Sequence, residues 1–207
     1  MHPSSLFHTD ANEVRAIIAH NPLATIAMNG LDGPIVAVVP VVWSEDETRL
    51  IGHIGRTNAF WTAAEGTTPS VTAVFRADDA YVSASAYPSK AEHGKVVPTW
   101  NYVAAEARGC LSFKTERDDI RASVAALSDQ MEADRETPWA ITDAPESYIN
   151  KLSKAIVAFE IEVIALKGVR KLSQNKNETE RAGVIADLTS RSGNGAAIAE
   201  AMRRDLS

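Results

Sequence analysis

Cysteine is almost absent from this chain, whose 207 residues include one, Cys110. An internal disulfide and a cysteine-based zinc site both need more than one thiol, so both are excluded. The scarcity of cysteine agrees with a reducing compartment, and we expect a cytoplasmic protein.

Long apolar runs are also lacking. The most apolar stretch, residues 35–43, contains Pro40 and is far shorter than the roughly 18 residues of a membrane span. The first ten residues carry no basic stretch followed by an apolar run. We therefore expect neither a secretory signal nor a membrane partner.

Positive charge is in deficit, because the formal net charge is −6. An acidic surface repels phosphate, which argues against broad electrostatic attraction to nucleic acid. The sequence has no recognition-helix motif, and Arg203-Arg204 is only a small basic cluster.

Familiar catalytic motifs are missing as well. We find no nucleophile elbow, Walker-type phosphate loop, Rossmann glycine fingerprint or helical His-Glu-x-x-His. The paired acids Asp78-Asp79 and Asp118-Asp119 are neighbours whose side chains point in different directions, so we assign them no chemistry. The catalytic residues are therefore unknown.

What is present is a series of short segments rich in branched residues and bounded by turn residues, which predicts strands. The predicted strands cover residues 23–28, 35–43, 49–54, 70–76, 80–84, 100–113, 156–166 and 169–172. Turns are predicted at Asp78-Asp79 and Gly168, and a long surface loop over residues 85–98. Helical spacing predicts helices from Asp10 to Asn21-Pro22 and over residues 58–65, 115–131, 148–152, 178–189 and 196–204.

Many short strands with few helices favour a closed or nearly closed antiparallel β barrel, since closure removes exposed strand edges. The chain is long enough to bury one sizeable core. We predict a single domain over residues 1–207, with residues 177–207 as a helical C-terminal extension.

The polar segment Gly52-His53-Ile54-Gly55-Arg56-Thr57-Asn58 lies where a predicted strand gives way to a helix. Backbone amides, a hydroxyl and an arginine can converge on a phosphate there, with Arg56 and Thr57 as the first candidates. The alternative is a turn in which Thr57 or Asn58 caps the helix and Arg56 is solvated. His53 can bond a cofactor or simply pack in the strand, and without a second ligand a metal site is weakly supported.

The segment Val97-Pro98-Thr99-Trp100-Asn101-Tyr102 combines aromatic and amide side chains. Alternation along a strand puts Trp100 and Tyr102 on one face and Thr99 and Asn101 on the other. One face can form the wall of a pocket while the other packs, and the alternative is a strand with its aromatic rings in the core. The sequence leaves open which face meets a cofactor.

The segment Lys171-Leu172-Ser173-Gln174-Asn175-Lys176 ends a predicted strand and begins a polar turn. It supplies a cation, a hydroxyl and two amides that can bond a phosphate or the edge of a ring. An ordinary solvated loop is the alternative.

With Phe60-Trp61, these three segments resemble the PaiB-type FMN-binding proteins, a family of negative transcriptional regulators, over nearly the whole chain. The resemblance implies an α+β fold, an FMN-binding split β-barrel that is antiparallel and Greek-key-like, with peripheral helices and a helical C-terminal tail. It also implies a homodimer with FMN in a groove at the subunit interface. Since His53 has no second ligand at credible spacing, we expect no metal site. The implied cofactor-binding residues are His53, Arg56, Thr57, Asn58, Thr99, Trp100, Asn101, Tyr102, Lys171, Ser173 and Gln174.

Three functions stay open at this point. The first is a flavin-responsive negative regulator, for which DNA is a partner by family analogy alone. The second is an FMN-dependent oxidoreductase of the pyridoxamine-phosphate oxidase or flavin reductase type, in which Arg56 and Lys171 hold phosphate and Asn101 and Gln174 tune the ring. The third is haem binding, with His53 or His93 as axial ligand.

Overall fold

The computed structural model describes residues 2–205, so Met1 and the last two residues of the predicted extension, Leu206 and Ser207, lie outside the described residues. The strands are β1 (His8–Thr9), β2 (Leu23–Gly30), β3 (Gly33–Trp43), β4 (Arg49–Gly55), β5 (Ser70–Val82), β6 (Thr99–Lys114) and β7 (Ile156–Lys171). The helices are α1 (Ala11–His20), α2 (Ala59–Ala64), α3 (Ser89–His93), α4 (Arg117–Glu132), α5 (Glu146–Ser153), α6 (Glu178–Thr189) and α7 (Asn194–Arg204).

The strands form one sheet in the order β1-β7-β4-β3-β2-β5-β6, and β6 pairs again with β7. The β1–β7, β2–β3, β2–β5, β3–β4 and β4–β7 pairs are antiparallel. The extra pairing closes β2 to β7 into a ring and leaves β1 as an added edge strand. Closure gives the long strands β6 and β7 a hydrogen-bonding partner on each side.

Contacts divide the chain into two units. The hairpin unit comprises Ile18–Phe75 and Glu106–Leu166, and the terminal unit comprises the other described residues. Among the described residues, the helices are too short or too polar to cross a membrane.

The hairpin unit is built around the antiparallel pair β2 and β3. Gly33 has a φ of +128°, which suits glycine, and it pairs with Gly30 across the turn. Buried and exposed side chains alternate along β3, so Ala37 and Val39 face the core while Val36 and Val38 are exposed. The strand predicted over residues 35–43 is confirmed here.

The terminal unit holds α6, α7 and residues 11–17 of α1. The carboxylate of Asp10 accepts a hydrogen bond from the amide of Glu13 at 2.9 Å and so caps α1. Helices α6 and α7 pack on each other with Leu188, Ile198 and Met202 fully buried.

Two turns predicted from the sequence are wrong. Strand β5 continues through Asp78-Asp79, and Asp79 forms an ion pair with Arg76 at 2.6 Å. The buried side chains change from odd-numbered positions, such as Phe75, to even-numbered ones, such as Ala80, so the alternation breaks although the strand does not.

Strand β7 likewise continues through Gly168. A Cβ at this position would lie 2.3 Å from Cγ2 of Thr9 and 2.6 Å from Cγ2 of Val14. Glycine is therefore needed for the close approach of β1 and α1 to β7, and not for a turn. The predicted loop over residues 85–98 also differs, because it contains helix α3.

Candidate functional site

The turn after β4 is held by backbone hydrogen bonds within the hairpin unit. The amide of Arg56 donates to the carbonyl of Ala155 and the amide of Asn58 donates to the carbonyl of Gly55, both at 2.9 Å. The side-chain oxygen of Asn58 accepts from the amide of Phe60 at 2.9 Å and so caps α2. The turn is therefore a fixed platform for the side chains that leave it.

Arg56 points its guanidinium over the ring of Trp61, 5.8 Å from the ring centroid. The side chain is half-buried, and within residues 2–205 it has neither an ion pair nor a hydrogen bond. Thr57 beside it is exposed, and the amide nitrogen of Asn58 is not used by the cap. A guanidinium, a hydroxyl and an amide donor are thus free at one turn, which suits a phosphate.

His53 lies on β4 two residues after Ile51, on the face that is opposite to the buried Leu50 and Ile54. Its Nδ1 is 3.5 Å from the hydroxyl of Ser123 on α4. Burial lowers the pKa of His53 below the ordinary 6.5, so the neutral ring is favoured.

Haem binding would require an axial histidine, and the two candidates have other partners. His53 contacts Ser123, and Nδ1 of the exposed His93 accepts from the amide of Lys95 at 3.0 Å. In the part of the chain that the structure describes, no group of three or more His, Cys, Asp or Glu side chains could hold a metal ion. The haem and oxidoreductase hypotheses stay predictions.

In the terminal unit, the first residues of β6 separate into an exposed and a buried face. Trp100 is 52 % exposed and Tyr102 is half-buried, whereas Asn101 is completely buried. The aromatic face therefore points outward, and a core position for Trp100 is excluded.

Trp100 and Tyr81 meet edge to face, with their ring centroids 6.1 Å apart. Beside them is a groove of about 390 Å³, which we call the aromatic groove. Its lining residues are Arg76, Ala77, Asp79, Trp100, Tyr102, Val103 and Ala104. An apolar floor with charged groups at its rim can accept one face of a flat ring system.

The segments that begin at Val97 and at Lys171 touch each other directly. Nζ of Lys171 donates to Oγ1 of Thr99 at 2.8 Å and to the carbonyl oxygen of Trp100 at 2.5 Å. Asn101 and Ser173 bond each other through their side chains at 3.0 and 3.1 Å. The structure thus brings together Thr99, Trp100, Asn101, Lys171 and Ser173, which the sequence could only name separately.

Burial also changes the basicity of this cluster. It lowers the pKa of Lys171 below the ordinary 10.5, and it raises the pKa of Tyr87 above 10.0. The ammonium of Lys176 lies over the Tyr87 ring, 5.1 Å from the ring centroid.

Three residues of this cluster and of the groove, Tyr81, Tyr87 and Met202, were not predicted from the sequence. Tyr87 precedes Pro88 in a segment predicted to be a loop, and no local pattern connects it with Lys176. Met202 belongs to the predicted final helix, whose apolar face gave no indication that its sulfur lies 3.4 Å from the amide nitrogen of Asn101.

Comparison with known proteins identifies relatives. Residues 1–165 match a family described as "Putative FMN-binding domain". Protease synthase and sporulation protein PAI 2 of Bacillus subtilis (strain 168) is 29 % identical over 182 residues, which are 87 % of this chain and 84 % of that protein. An uncharacterised protein of Emericella nidulans is 36 % identical over 116 residues, which are 51 % of this chain and 46 % of that protein.

Two solved structures share the fold at low identity. The FAD and heme binding protein from Mycobacterium smegmatis has a TM-score of 0.60 and 15 % identity, covering 84 % of this chain and 77 % of that one. The flavocytochrome Anf3 from Azotobacter vinelandii has a TM-score of 0.61 and 13 % identity, covering 88 % and 78 %. With the closed antiparallel sheet, these likenesses confirm the predicted α+β split-barrel fold. The chain therefore belongs to the FMN-binding domain family that matches residues 1–165, and PAI 2 of Bacillus subtilis is its homologue, as the resemblance predicted.

Proposed function

We propose that this protein binds the phosphate of FMN at the turn after β4, through Arg56, Thr57 and the amide nitrogen of Asn58. The observation that carries this proposal is the half-exposed guanidinium of Arg56, which has no acceptor within residues 2–205. A phosphate offers several anionic oxygens, and a guanidinium can donate two parallel hydrogen bonds to them. The donor set of this turn therefore fits the charged end of FMN.

Considered by itself, the terminal unit has a surface that suits a flat ring, because the aromatic groove can cover one face of an isoalloxazine. Trp100 and Tyr102 supply the wall and Tyr81 supports Trp100. When bound, FMN supplies hydride or single-electron chemistry. The protein's own residues bind and orient the ring and limit the access of water.

A homodimer is part of the proposal, with FMN in a groove at the subunit interface as in the resemblance. The outer face of β2 and β3 supports it, because Leu23 and Val38 are each 62 % exposed and Val36 is exposed beside them. Exposed apolar side chains clustered on one sheet face are typical of protein interfaces. A second copy of the chain is the occupant that we propose.

By analogy with the family, we also propose that this protein is cytoplasmic and acts as a negative regulator of transcription. The charge of the protein favours repression without direct DNA binding, which we call the indirect role. The net charge is −6, and both Arg203 and Arg204 bond the carboxylate of Glu200. A gel-shift titration over several salt concentrations checks this point. We expect DNA binding no tighter than that of an unrelated acidic protein, and tight, operator-specific binding would contradict the indirect role.

The phosphate proposal is tested by calorimetric titration with FMN and with riboflavin, which lacks the phosphate. We expect Arg56→Ala to weaken FMN binding by about 1–3 kcal/mol, the scale of a charge-assisted hydrogen bond. Riboflavin binding should not change. The matched control is Arg135→Ala, which removes an exposed arginine that pairs with Glu132.

Two results would contradict the proposal. If Arg56→Ala weakened riboflavin as much as FMN, Arg56 would not hold the phosphate. If the folded wild-type protein took up no FMN, the proposed function would fail altogether.

A further inference from the structure

The turn that follows β7 holds an unusual backbone conformation. Ser173 has a φ of +63°, in the left-handed region that residues other than glycine seldom adopt. The side chain of Gln174 stabilises the turn, because its Oε1 accepts from the amide of Leu172 at 2.8 Å and its Nε2 donates to the carbonyl of Arg170 at 2.6 Å. This backbone conformation costs free energy, and the two hydrogen bonds of Gln174 hold it in place. We therefore expect the direction in which the Ser173 side chain points to be important.

The hydroxyl of Ser173 is directed at Asn101. The two side chains form a reciprocal pair, since the amide nitrogen of Asn101 donates to Oγ of Ser173 and this hydroxyl donates to Oδ1 of Asn101. Both side chains are buried. Asn101, the residue after Trp100, is therefore fixed from the β7 turn.

Lys171 fixes the other side of Trp100. Its ammonium donates to the hydroxyl of Thr99, the residue before Trp100, and to the carbonyl oxygen of Trp100 itself. Burial lowers the pKa of Lys171, because it removes water from around the ammonium. Two of its three N–H donors are used within the chain.

We infer that Lys171 and Ser173 are positioning residues, which form a clamp on the carbonyl group of Trp100 and on the side chains of its two neighbours and so hold its indole as a rigid wall of the aromatic groove. An indole that is 52 % exposed would otherwise sample several rotamers, and a ligand would lose affinity by ordering it. The expected gain in ligand affinity rests on the proposed function, because it requires that the protein binds FMN. The clamp itself is a property of the protein without ligand.

The test combines a readout without ligand and one with FMN. The near-ultraviolet circular dichroism of Trp100→Phe, subtracted from that of the wild type, gives the contribution of the Trp100 ring. In Lys171→Met and Ser173→Ala we expect this contribution to be largely lost while the far-ultraviolet spectrum is retained. FMN binding should weaken about 2- to 10-fold, the scale of one side chain that must be ordered on binding.

Matched variants separate positioning from other effects. Lys167→Met removes an exposed lysine from the same strand and should leave both readouts unchanged. Lys171→Arg can still donate to two acceptors and should restore the Trp100 signal. If Ser173→Ala does not fold, Ser173→Gly replaces it, because glycine adopts the positive φ and also lacks the hydroxyl.

The outcomes distinguish the clamp from the proposed function. A loss of FMN affinity with an unchanged Trp100 signal would mean that Lys171 and Ser173 bind FMN directly, and it would overturn the clamp. An unchanged Trp100 signal with unchanged affinity would overturn it too. Loss of the Trp100 signal in a protein that takes up no FMN would support the clamp while the proposed function fails.

Discussion

At the scale of single residues, His53 is an example of a polar side chain whose environment changes its chemistry. The ring lies against Ser123 of α4, and burial lowers its pKa below 6.5. The unfolded chain therefore binds a proton at a higher pH than the folded protein does. Protonation of His53 therefore favours the unfolded state. This destabilisation is absent above about pH 6.5 and grows as the pH falls from there toward the pKa of the folded protein.

We expect the free energy of unfolding to decrease between about pH 7.5 and pH 5.5, and this decrease to be smaller in His53→Gln. Urea unfolding at the two pH values measures the difference. His93→Gln, which removes an exposed histidine, is the control. Equal decreases in His53→Gln and the wild type would contradict the assignment to His53.

At the scale of elements, Gly109 allows the pairing of β6 with β7. A Cβ at this position would lie 2.0 Å from the carbonyl oxygen of Glu162, which is backbone and cannot rotate away. The ring of strands depends on this close approach, because β6 and β7 are the two strands that close it.

Gly109→Ala should destabilise the protein by about 1–3 kcal/mol, the usual range for overpacking. Chemical denaturation is the measurement. In Gly55→Ala the new Cβ would find its nearest neighbour, Oγ1 of Thr57, at 4.0 Å, so little change is expected from this control. Equal stabilities of the two variants would exclude a tight contact at Gly109.

The elements also show where sequence patterns succeed. The strands β2, β3 and β4 were predictable because the hairpin unit has one buried face and clear turn residues. Strands β5 and β7 were divided wrongly at Asp78-Asp79 and Gly168. Asp79 forms an ion pair with Arg76 inside β5, whereas Gly168 makes room for the packing of Thr9 and Val14. A local pattern does not contain that packing.

At the scale of the whole molecule, the proposed dimer predicts the effect of a charge on the outer face of β2 and β3. Val38→Lys should convert a dimer to a monomer, because it would bury charge in the interface. Analytical ultracentrifugation gives the mass. Leu31→Lys is the control, since Leu31 is exposed at the tip of the same hairpin. A wild-type monomer, or a Val38→Lys dimer as tight as the wild type, would contradict the interface.

The candidate site was predictable in its parts but not in its assembly. The residue types around Arg56, Trp100 and Lys171 indicated ligand chemistry from the sequence alone. The contact of Asn101 with Ser173 joins positions far apart in the chain, and it depends on the neighbouring starts and ends of β6 and β7. That residues 1–207 form a single domain, with residues 177–207 as its helical C-terminal extension, stays a prediction.

The buried pair of Asn101 and Ser173 also constrains how this family can evolve. Loss of one partner leaves a polar group without a hydrogen bond in a dry interior, whereas replacing both by apolar side chains is nearly neutral. The two positions should therefore change together among relatives. Since the family match ends at residue 165, this covariation becomes visible only in alignments that extend to Ser173.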